Sequence, residues 1–470
     1  MIRFDLDSIK SVYMIAICGT GMTALAGMLK SQGYEVRGSD QNVYPPMSTF
    51  LKEIGIPVHE GYDPLHLDPP PDVVVIGNSM SRGNPEVEAV LSAKLPYVSL
   101  PFALREFFIR GNYSCVVAGT HGKTTTSSLL AWVLESAGRD PGFFVGGIPE
   151  NFGRGFKLGK GGIFVAEGDE YDSAFFDKGS KFLHYLPDLV ILNSIEFDHA
   201  DIFRDLDAVE TSFARLITLI PQNGYLVACW DNPIVRKLSE HAWAEVVSFG
   251  FSPDAQFRAE GIVAGVENTT FEVYFGNKRY GTFSVPLHGR HMVQNALGVI
   301  AASHKLGLSA EEVQQAFGSF KNVRRRLQFK GEVRGVRVFD DFAHHPTEIR
   351  ATIAGLKERF PNSPLWAVFE PRTATSKRRI FQDRFAEAFA QADRVVLTPL
   401  HAPDKIPEQE RLSVEQVCAD LRARGLSCWI LPVGDEMLNF LREKVGSGEI
   451  VLFMSNGDFQ QIPQKLIDET

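Results

Sequence analysis

The sequence predicts an α/β protein with three domains, and three observations support this. At 470 residues the chain is too long for a single hydrophobic core. Short apolar runs recur along it, and almost every run ends in glycine or polar residues and is followed by a helical pattern, as in parallel sheets. Near 271–285 the pattern changes to alternation, which indicates a small antiparallel flank. We expect domains at 1–112, 113–322 and 323–470, with the flank in the second.

The first domain shows part of a nucleotide-binding pattern. Within 11–40 an apolar run is followed by Gly19-Thr20-Gly21, a helical pattern and a second run that ends at Asp40. Ala24 takes the place of the third glycine, and a later run ends just before Asn78. The pattern predicts a Rossmann-like domain. Its turn has two interpretations: a nucleotide-diphosphate site with Asp40 near a ribose or base, or a tight turn between strand and helix.

The second domain opens on a glycine loop between a β-branched run and a helical pattern. Such a loop turns its backbone N–H groups inward around phosphate oxygens. Lys123 can reach the β- and γ-phosphates of a nucleotide, and the Thr124 hydroxyl can ligate Mg²⁺. Val117 stands where the strict Walker pattern has glycine, so the loop is a shortened variant, and a plain Gly-rich turn is the alternative. The loop residues are Gly119, Thr120, His121, Gly122, Lys123, Thr124 and Thr125.

Polar residues stand at the carboxyl ends of the predicted strands in all three domains. Ligands of open α/β sheets bind in the crevice outside these ends, so we expect one composite site in a cleft. Beside Thr124, Glu167 could ligate Mg²⁺ directly or through water, and His199 could join a second Mg²⁺. The alternative for Glu167 and its acidic neighbours is a solvated face. The alternative for His199 is a hydrogen bond within the core.

The third domain begins near three consecutive arginines, Arg324–Arg326. A guanidinium matches the geometry of phosphate, but two of the three are expected to form only an exposed basic linker. Asp340 and Asp341 directly follow an apolar run and begin a dense polar segment. This segment could also cap the next helix near Thr347.

Composition narrows the classes of partner. The net charge is −9 and the pI about 5.8, and no basic tail or helix occurs, so we expect no nucleic-acid partner. The five cysteines are scattered without a CxxC pair, which argues against a zinc site or disulfide framework. No run of 18 apolar residues occurs, and residues 1–5 lack the start of a signal peptide. We therefore expect a cytoplasmic protein without a membrane partner.

Together these segments resemble the Mur ligases, ATP-dependent enzymes that form amide bonds in peptidoglycan synthesis. The resemblance covers all three domains in order. It rests on the glycine loop, Glu167, Glu196-x-Asp198-His199, His291 with Asn295, Arg326 and Asp341-x-x-His344-His345-Pro346. The segments 38–49, 77–85, 369–372 and 454–457 are similar to the branch that attaches a murein tripeptide in peptidoglycan recycling.

The resemblance implies a role for each set of residues. UDP-N-acetylmuramate would lie near Gly19, Thr20, Gly21, Met22, Asp40 and Asn78, with His121 facing it. ATP would be bound by the glycine loop from Gly119 to Thr125, with His291 and Asn295 on adenine and Arg326 and Asp341 closing over it. Mg²⁺ would be held by Thr124, Glu167 and His199. Arg372, Lys377 and Arg378 could pair with carboxylates of the peptide, or form a solvated helix face.

The implied reaction activates the muramate carboxylate as an acyl phosphate, and a peptide amine then attacks it. Lys123 would neutralise charge during phosphoryl transfer. His199 and His344 are the candidates for the base that takes the proton of the amine. The alternatives are a relative that adds a single L-alanine, and a nucleotide-gated binding protein without ligase chemistry. The sequence gives no oligomeric state.

Overall fold

The computed structural model describes residues 6–468, apart from the side chains of Asp7 and Lys405. The chain forms two compact units. The first contains residues up to 195 together with 207–257 and 298–316, and the second contains 196–206, 258–297 and the residues from 317 onward. Residues 1–5, on which the expectation of no signal peptide rests, lie outside the described residues. No helix in the described part of the chain is long and apolar enough to cross a membrane.

The first unit begins with a five-stranded parallel sheet in the order β3-β2-β1-β4-β5. Its strands are β1 (Ser11–Ile15), β2 (Glu35–Asp40), β3 (Val58–Glu60), β4 (Val73–Ile76) and β5 (Tyr97–Ser99). Its helices are α1 (Thr20–Ser31), α2 (Met47–Glu53), α3 (Pro85–Ser92) and α4 (Leu100–Leu104). The strand order reverses between β1 and β4, where ligands of such sheets bind. The Rossmann-like prediction is confirmed.

A second, mostly parallel sheet follows in the same unit. Its elements are β6 (Tyr113–Ala118), α5 (Lys123–Ser136), β7 (Gly142–Phe144), β8 (Phe156–Lys157), β9 (Ile163–Gly168), β12 (Leu189–Leu192), α6 (Leu206–Thr218), β13 (Tyr225–Cys229), α7 (Pro233–Ser239) and β14 (Glu245–Gly250), with a separate hairpin of β10 (Asp172–Ala174) and β11 (Asp177–Ser180). The strands of this part lie in the order β14-β13-β12-β6-β9-β7-β8. The central strands β6 and β12 are buried on both faces, which explains their unbroken apolar sequence.

The second unit contains the predicted antiparallel flank. It consists of β15 (Phe257–Ala264), β16 (Thr269–Phe275) and β17 (Lys278–Val285), and the next helices along the chain are α8 (Arg290–Lys305) and α9 (Ala310–Gly318). β16 and β17 form the expected hairpin, with Phe271 opposite Phe283. Gly276 in its turn has φ +58°, a conformation that glycine adopts at little cost.

The rest of the second unit is a six-stranded sheet in the order β18-β19-β23-β20-β21-β22, parallel except for the edge strand β18. Its elements are β18 (Gln328–Val333), β19 (Val336–Asp341), α10 (Pro346–Arg359), β20 (Leu365–Phe369), α11 (Gln382–Ala388), β21 (Arg394–Leu397), α12 (Val414–Ala423), β22 (Ser427–Ile430), α13 (Asp435–Lys444), β23 (Ile450–Met454) and α14 (Ile462–Ile467). Two apolar clusters draw alternate side chains from its strands, so its faces are covered by helices. The predicted domain boundaries at 112 and 322 stay predictions.

Candidate active site

The backbone of the glycine loop can be formed only by glycine at two positions. Gly119 has φ +132°, and a Cβ atom there would lie 2.9 Å from the backbone nitrogen and oxygen of Ser194. Gly122 has φ +80° and is the N-cap residue of α5. The Thr120 nitrogen donates to the Ser194 oxygen at 2.7 Å, and the His121 nitrogen donates to the Ser194 hydroxyl at 3.1 Å. The loop is therefore fixed to the segment after β12, with the N-terminus of α5 open to an anion.

Lys123 is the cation at the start of α5. Its Nζ donates to the carbonyl oxygens of Gly119 at 2.8 Å and Thr120 at 3.2 Å, and lies 2.8 Å from an oxygen of Glu170. Burial acts to lower the pKa of Lys123, but the carboxylates of Glu170, Asp169 and Glu167 outweigh it and raise the pKa. The ammonium is therefore charged at neutral pH, as contact with phosphate requires.

Thr124 and Glu167 lie together, as the sequence predicts. The Thr124 hydroxyl donates to Glu167 Oε1 at 2.7 Å, and the backbone nitrogen of Gly146 donates to Oε2 at 2.6 Å. Glu167 reaches this place because β9 pairs with β6 in parallel, which sets it opposite Val117. It is half-buried and hydrogen-bonded rather than part of a solvated face. A hydroxyl and a carboxylate are hard oxygen ligands, so this pair fits Mg²⁺.

The glycine turn of the first sheet also presents a helix N-terminus. Gly19 is the N-cap of α1 and has no side-chain cap. The first intrahelical bond runs from the Thr23 nitrogen to the Gly19 oxygen at 2.8 Å. The N–H groups of Thr20, Gly21 and Met22 therefore precede the hydrogen-bond ladder, where an anion can accept from them. The Met22 side chain itself is buried.

Asp40 has a structural role at this turn. One oxygen of its buried carboxylate accepts from the Cys18 nitrogen at 2.9 Å, and the other accepts from the Asn42 nitrogen at 2.9 Å. It thus joins the ends of β1 and β2. Its predicted contact with a ribose or base stays a prediction, as does that of Asn78, which is half-buried after β4.

Sequence reasoning missed a buried carboxylate beside Asp40. Glu86, in the first turn of α3, is fully buried and accepts from the Tyr13 hydroxyl at 3.0 Å, the Asp63 nitrogen at 3.2 Å and the Ser39 hydroxyl. His66 Nδ1 lies 2.8 Å from the same carboxylate. A glutamate in the first turn of a capped helix is common, so no sequence pattern indicates this network.

In the second unit, the two predicted proton acceptors share one carboxylate. His199 Nε2 and His344 Nε2 each lie 4.0 Å from Asp198 Oδ2. Burial acts to raise the pKa of Asp198, but His199, His344 and His345 outweigh it and lower the pKa to about 2. Asp198 is therefore an anion between two imidazoles. His199 belongs to a different unit from Thr124 and Glu167, and its role as a metal ligand stays a prediction.

Asp341 is buried where the polar segment begins. Its carboxylate accepts from the Leu327 nitrogen at 2.6 Å and the Ala343 nitrogen at 2.7 Å. Burial raises its pKa despite the nearby Arg326 and these N–H groups. Asp341 therefore holds the turn that carries Arg326, whose guanidinium lies 5.1 Å from the centre of the Phe342 ring. Contacts of Arg326 and Asp341 with ATP stay predictions.

The expectation that this segment caps the next helix is confirmed. His345 is the N-cap of α10 and forms a capping box with Glu348, and Thr347 lies in the first turn. The Thr347 hydroxyl donates to Glu196 at 2.8 Å. A histidine accepts the capping bond through Nδ1, which the preference for Ser, Thr, Asp and Asn at caps does not predict.

The expectation that two of the three arginines form only an exposed linker is wrong. Arg324 is exposed, as expected of a linker, but Arg325 is not a linker residue. Its guanidinium donates to the carbonyl oxygens of Ser455 at 2.5 Å, Asn456 at 3.2 Å and Gly457. It also donates to Asp340 at 3.2 Å. Arg325 therefore fixes the loop after β23, which no pattern in three identical residues could reveal.

The predicted peptide-binding cations differ in environment. Lys377 is buried and donates to the His401 oxygen at 3.2 Å, so a solvated helix face is wrong for it. Arg378 pairs with Glu410. Arg372 Nη1 lies 3.8 Å from Glu370 at the end of β20.

On α8, Asn295 is buried and donates to the Met292 sulfur at 3.8 Å. Binding roles for Arg372, His291 and Asn295 stay predictions.

Comparison with known proteins identifies the family. Three family models match in succession: the Mur ligase family catalytic domain at 11–111, the Mur ligase middle domain at 117–303, and the Mur ligase glutamate ligase domain at 325–457. The chain is 42% identical, over 97% of both chains, to the UDP-N-acetylmuramate–L-alanyl-γ-D-glutamyl-meso-2,6-diaminoheptandioate ligase of Escherichia coli. The chain belongs to the Mur ligase family. The protein is thus an ATP-dependent, ADP-forming ligase, as the resemblance implies.

Two further Mur ligases bear on the fold and on the acceptor. A crystal structure of a murein peptide ligase from Psychrobacter arcticus matches with a TM-score of 0.72 and 36% identity, over 97% of this chain and 98% of that one. It confirms the three-domain α/β fold. A UDP-N-acetylmuramate–L-alanine ligase from Salinibacter ruber is 34% identical over 98% of this chain and 95% of its own length. The family therefore includes relatives with different acceptors.

Proposed function

We propose that this Mur ligase joins UDP-N-acetylmuramate to the tripeptide L-alanyl-γ-D-glutamyl-meso-diaminopimelate in peptidoglycan recycling, with ATP cleaved to ADP and phosphate. The observation that carries the proposal is the 42% identity, over 97% of both chains, to the Escherichia coli ligase named for these substrates. The lower identity of 34% to the Salinibacter ruber L-alanine ligase favours the tripeptide over the single amino acid.

The donor set of the glycine loop supports ATP and Mg²⁺ as ligands. Inward backbone N–H groups, the charged Lys123 and the open N-terminus of α5 suit the phosphates. Thr124 and Glu167 are 2.7 Å apart and would hold Mg²⁺, with His199 as a further ligand. A bound Mg²⁺ would supply charge neutralisation between the phosphates. Adenine would contact His291 and Asn295, and Arg326 and Asp341 would close over the nucleotide.

The first step forms an acyl phosphate. An oxygen of the muramate carboxylate attacks the γ-phosphorus of ATP, the bond from that phosphorus to the β–γ bridging oxygen breaks, and ADP leaves. Catalysis of such a transfer consists of positioning and charge stabilisation. Lys123 neutralises the transferring group. The loop from Gly119 to Thr125 orients the phosphates, and His121 faces the sugar nucleotide.

The second step forms the amide. The neutral α-amine of the tripeptide attacks the acyl carbon, the tetrahedral intermediate expels phosphate, and the nitrogen loses a proton to a base. His344 or His199 takes this proton. The anion of Asp198, 4.0 Å from each ring, favours the protonated imidazole that results.

The two remaining substrates would be bound at strand ends. The diphosphate of UDP-N-acetylmuramate would accept from the N–H groups at the start of α1, near Gly19, Thr20, Gly21 and Met22, with Asp40 and Asn78 beside it. Arg372 would pair with a peptide carboxylate. We further propose a cytoplasmic location, where UDP-sugars and ATP are available.

Acceptor profiling tests the proposal. ADP release is measured with ATP, Mg²⁺ and UDP-N-acetylmuramate in the presence of L-alanine, the dipeptide L-alanyl-D-glutamate, or the tripeptide. We expect turnover with the tripeptide and at least about a hundredfold lower kcat/KM with L-alanine, equivalent to about 2.7 kcal/mol of transition-state binding. Turnover with L-alanine but not the tripeptide would show that the protein is the single-alanine enzyme. ATP hydrolysis independent of both acceptor and sugar nucleotide would contradict either ligase.

A further inference from the structure

The second unit contains a cavity of about 280 Å³. The flank and the start of α8 contribute Glu267, Leu287, His288 and Met292, and the later part of the unit contributes Asn322 and Arg359. Arg359 is the last residue of α10, and His345 caps its first turn. At 1.5 Å per residue, this 14-residue helix separates Arg359 from the histidine cluster by about 20 Å. The cavity is therefore not part of that cluster.

The guanidinium of Arg359 lines the cavity and is oriented by its contacts. Arg359 Nε donates to the Val266 oxygen at 2.7 Å, and its planar group lies 4.9 Å from the centre of the Phe360 ring and 5.6 Å from that of Phe339. Among the described residues, its two terminal amino groups have no hydrogen-bond partner and no carboxylate partner. An oriented guanidinium with two free amino groups is the geometry that binds a carboxylate through two parallel bonds.

The negative charge of the cavity is the carboxylate of Glu267, next in sequence to Val266, whose carbonyl oxygen binds Arg359. Glu267 is exposed at the cavity and has no ion-pair partner in the described part of the chain. The apolar residues that line the cavity are Pro286, Leu287, Met292 and Leu327. The cavity thus offers a cation, an anion and an apolar surface to a single small ligand.

Two polar atoms of residues that line the cavity lack a hydrogen-bond partner in the described part of the chain. Within the described residues, His288 Nδ1 and Asn322 Oδ1 are enclosed and have no hydrogen-bond partner. Such atoms are rare in native proteins and cost about 1–3 kcal/mol each when left unpaired. Burial, and then the charge of Arg359, lower the pKa of His288 to about 4, so the ring is neutral at neutral pH and can accept or donate a hydrogen bond.

We propose that this cavity binds a free α-amino acid with an apolar side chain, whose carboxylate pairs with Arg359 and whose ammonium pairs with Glu267. The apolar side chain lies against Leu287 and Met292. The cavity lies at the small end of the range of ligand pockets, which suits a molecule of this size. None of the residues that line the cavity is among those proposed to bind the substrates or ATP, and this binding does not depend on the identity of the acceptor.

Titration calorimetry of the full-length protein with L-leucine tests this proposal. We expect saturable binding by the wild-type protein that persists in saturating ATP and Mg²⁺. Arg359→Met should weaken it by at least about tenfold, which corresponds to about 1.4 kcal/mol. Glu267→Gln should weaken it several-fold. The control is Arg337→Met, because Arg337 also stacks on Phe360 but does not line the cavity, and this variant should bind L-leucine as the wild type does.

Several outcomes would overturn the proposal. These are absence of L-leucine binding, equal binding by the Arg359→Met and wild-type proteins, and displacement of L-leucine by ATP, which would assign the cavity to the nucleotide. Inorganic phosphate or acetate binding as tightly as L-leucine would also overturn it, because neither carries an ammonium for Glu267. If Arg359→Met fails to fold, Arg359→Lys keeps the charge but loses the two parallel bonds, and it should still weaken binding.

Discussion

At the scale of single residues, Lys123 has a structural role besides the catalytic role that we propose for it. It is 14% exposed and pairs with Glu170, which is 2% exposed, so Lys123→Ala leaves a buried carboxylate without its cation. Removing one partner of a buried pair costs about 3–5 kcal/mol. We expect Lys123→Ala to lose activity by at least about a hundredfold and also to lose stability. ADP release and urea unfolding measure the two effects.

The double variant Lys123→Ala/Glu170→Gln separates the loss of activity from the loss of stability. Neutralising Glu170 removes the unpaired charge, so most of the lost free energy of unfolding should return while activity stays low. Recovery of activity in the double variant would show that Lys123 acts only through Glu170. A fully active Lys123→Ala enzyme would mean that the glycine loop does not bind the transferring phosphate.

Because of Asp340, the stability of the protein should fall as the pH rises, which is the opposite of the usual effect of a carboxyl group. Burial, outweighing Arg325 and reinforced by Asp341, raises the pKa of Asp340 to about 6. The folded protein therefore keeps this proton up to about pH 6, whereas the unfolded chain releases it near pH 4. Because the folded state binds more protons in this window, its stability falls as the pH rises from about 4 to about 6. The loss from this group is about 3 kcal/mol.

The variant Asp340→Asn tests this prediction, since it keeps an oxygen for Arg325 but cannot titrate. The quantity to measure is the difference in free energy of unfolding between wild type and variant at pH 4, 5, 6, 7 and 8. Of the full loss of about 3 kcal/mol, about 2 kcal/mol should occur between pH 4 and 6, and the difference should stay nearly constant from 7 to 8. A difference that does not change with pH would show that Asp340 has the same pKa in the folded and unfolded states.

At the scale of elements, α10 packs against the turn before α8 through two glycines. A Cβ atom on Gly355 would lie 3.0 Å from the His288 oxygen and 3.1 Å from the Cα of Gly289. Alanine favours a helix by about 1 kcal/mol over glycine, but this contact involves backbone atoms that cannot move aside easily. We expect Gly355→Ala to destabilise the protein by about 1–2 kcal/mol and to raise the KM for ATP, since α8 carries His291 and Asn295.

Gly318→Ala is the matched control for this helix contact. Gly318 is the last residue of α9, and a Cβ atom there would meet nothing within 4 Å. This substitution should leave stability unchanged or increase it by up to about 1 kcal/mol, without an effect on the KM for ATP. Urea unfolding and steady-state kinetics compare the two variants. A Gly355→Ala protein as stable as the wild type would show that the two segments separate at low cost.

Elements were predictable from the sequence where one physical rule determines them. Glu167 and Thr124 could be placed together because parallel strands bring their carboxyl ends to one edge. The hairpin of β16 and β17 followed from alternation. By contrast, the burial of Glu86 could not be predicted, because its partners come from β1, β2 and the turn after β3. The inward turn of Arg325, with φ +59°, depends on the carbonyl groups after β23, which lie about 130 residues away.

At the scale of the whole molecule, the net charge of −9 means that anionic substrates must be held by local groups. In the proposed site, the two helix N-termini after β1 and β6 and a few cations would supply these groups. The overall field neither steers nor retains such ligands. Family membership was therefore readable from short motifs at strand ends, whereas the number of compact units was not, because packing between elements distant in sequence determines it.

Nucleotide binding should stabilise the whole molecule by mass action. A ligand that binds only the folded state at 100 times its dissociation constant adds about 2.7 kcal/mol. We expect ADP with Mg²⁺ to raise the midpoint of thermal unfolding, and EDTA to remove most of the increase. Glu167→Gln should lose the dependence on Mg²⁺, because the amide is a poorer ligand than the carboxylate beside Thr124.

The control for this linkage is Glu135→Gln. Glu135 lies in the last turn of α5 and pairs with Lys157 at 2.5 Å. The substitution therefore removes a carboxylate from the same helix without changing the glycine loop. This variant should respond to ADP, Mg²⁺ and EDTA as the wild type does. Equal midpoints for Glu167→Gln and wild type with Mg²⁺ and with EDTA would exclude Glu167 as a metal ligand. The hydrogen bond from Thr124 to Glu167 would then serve only to fix the start of α5.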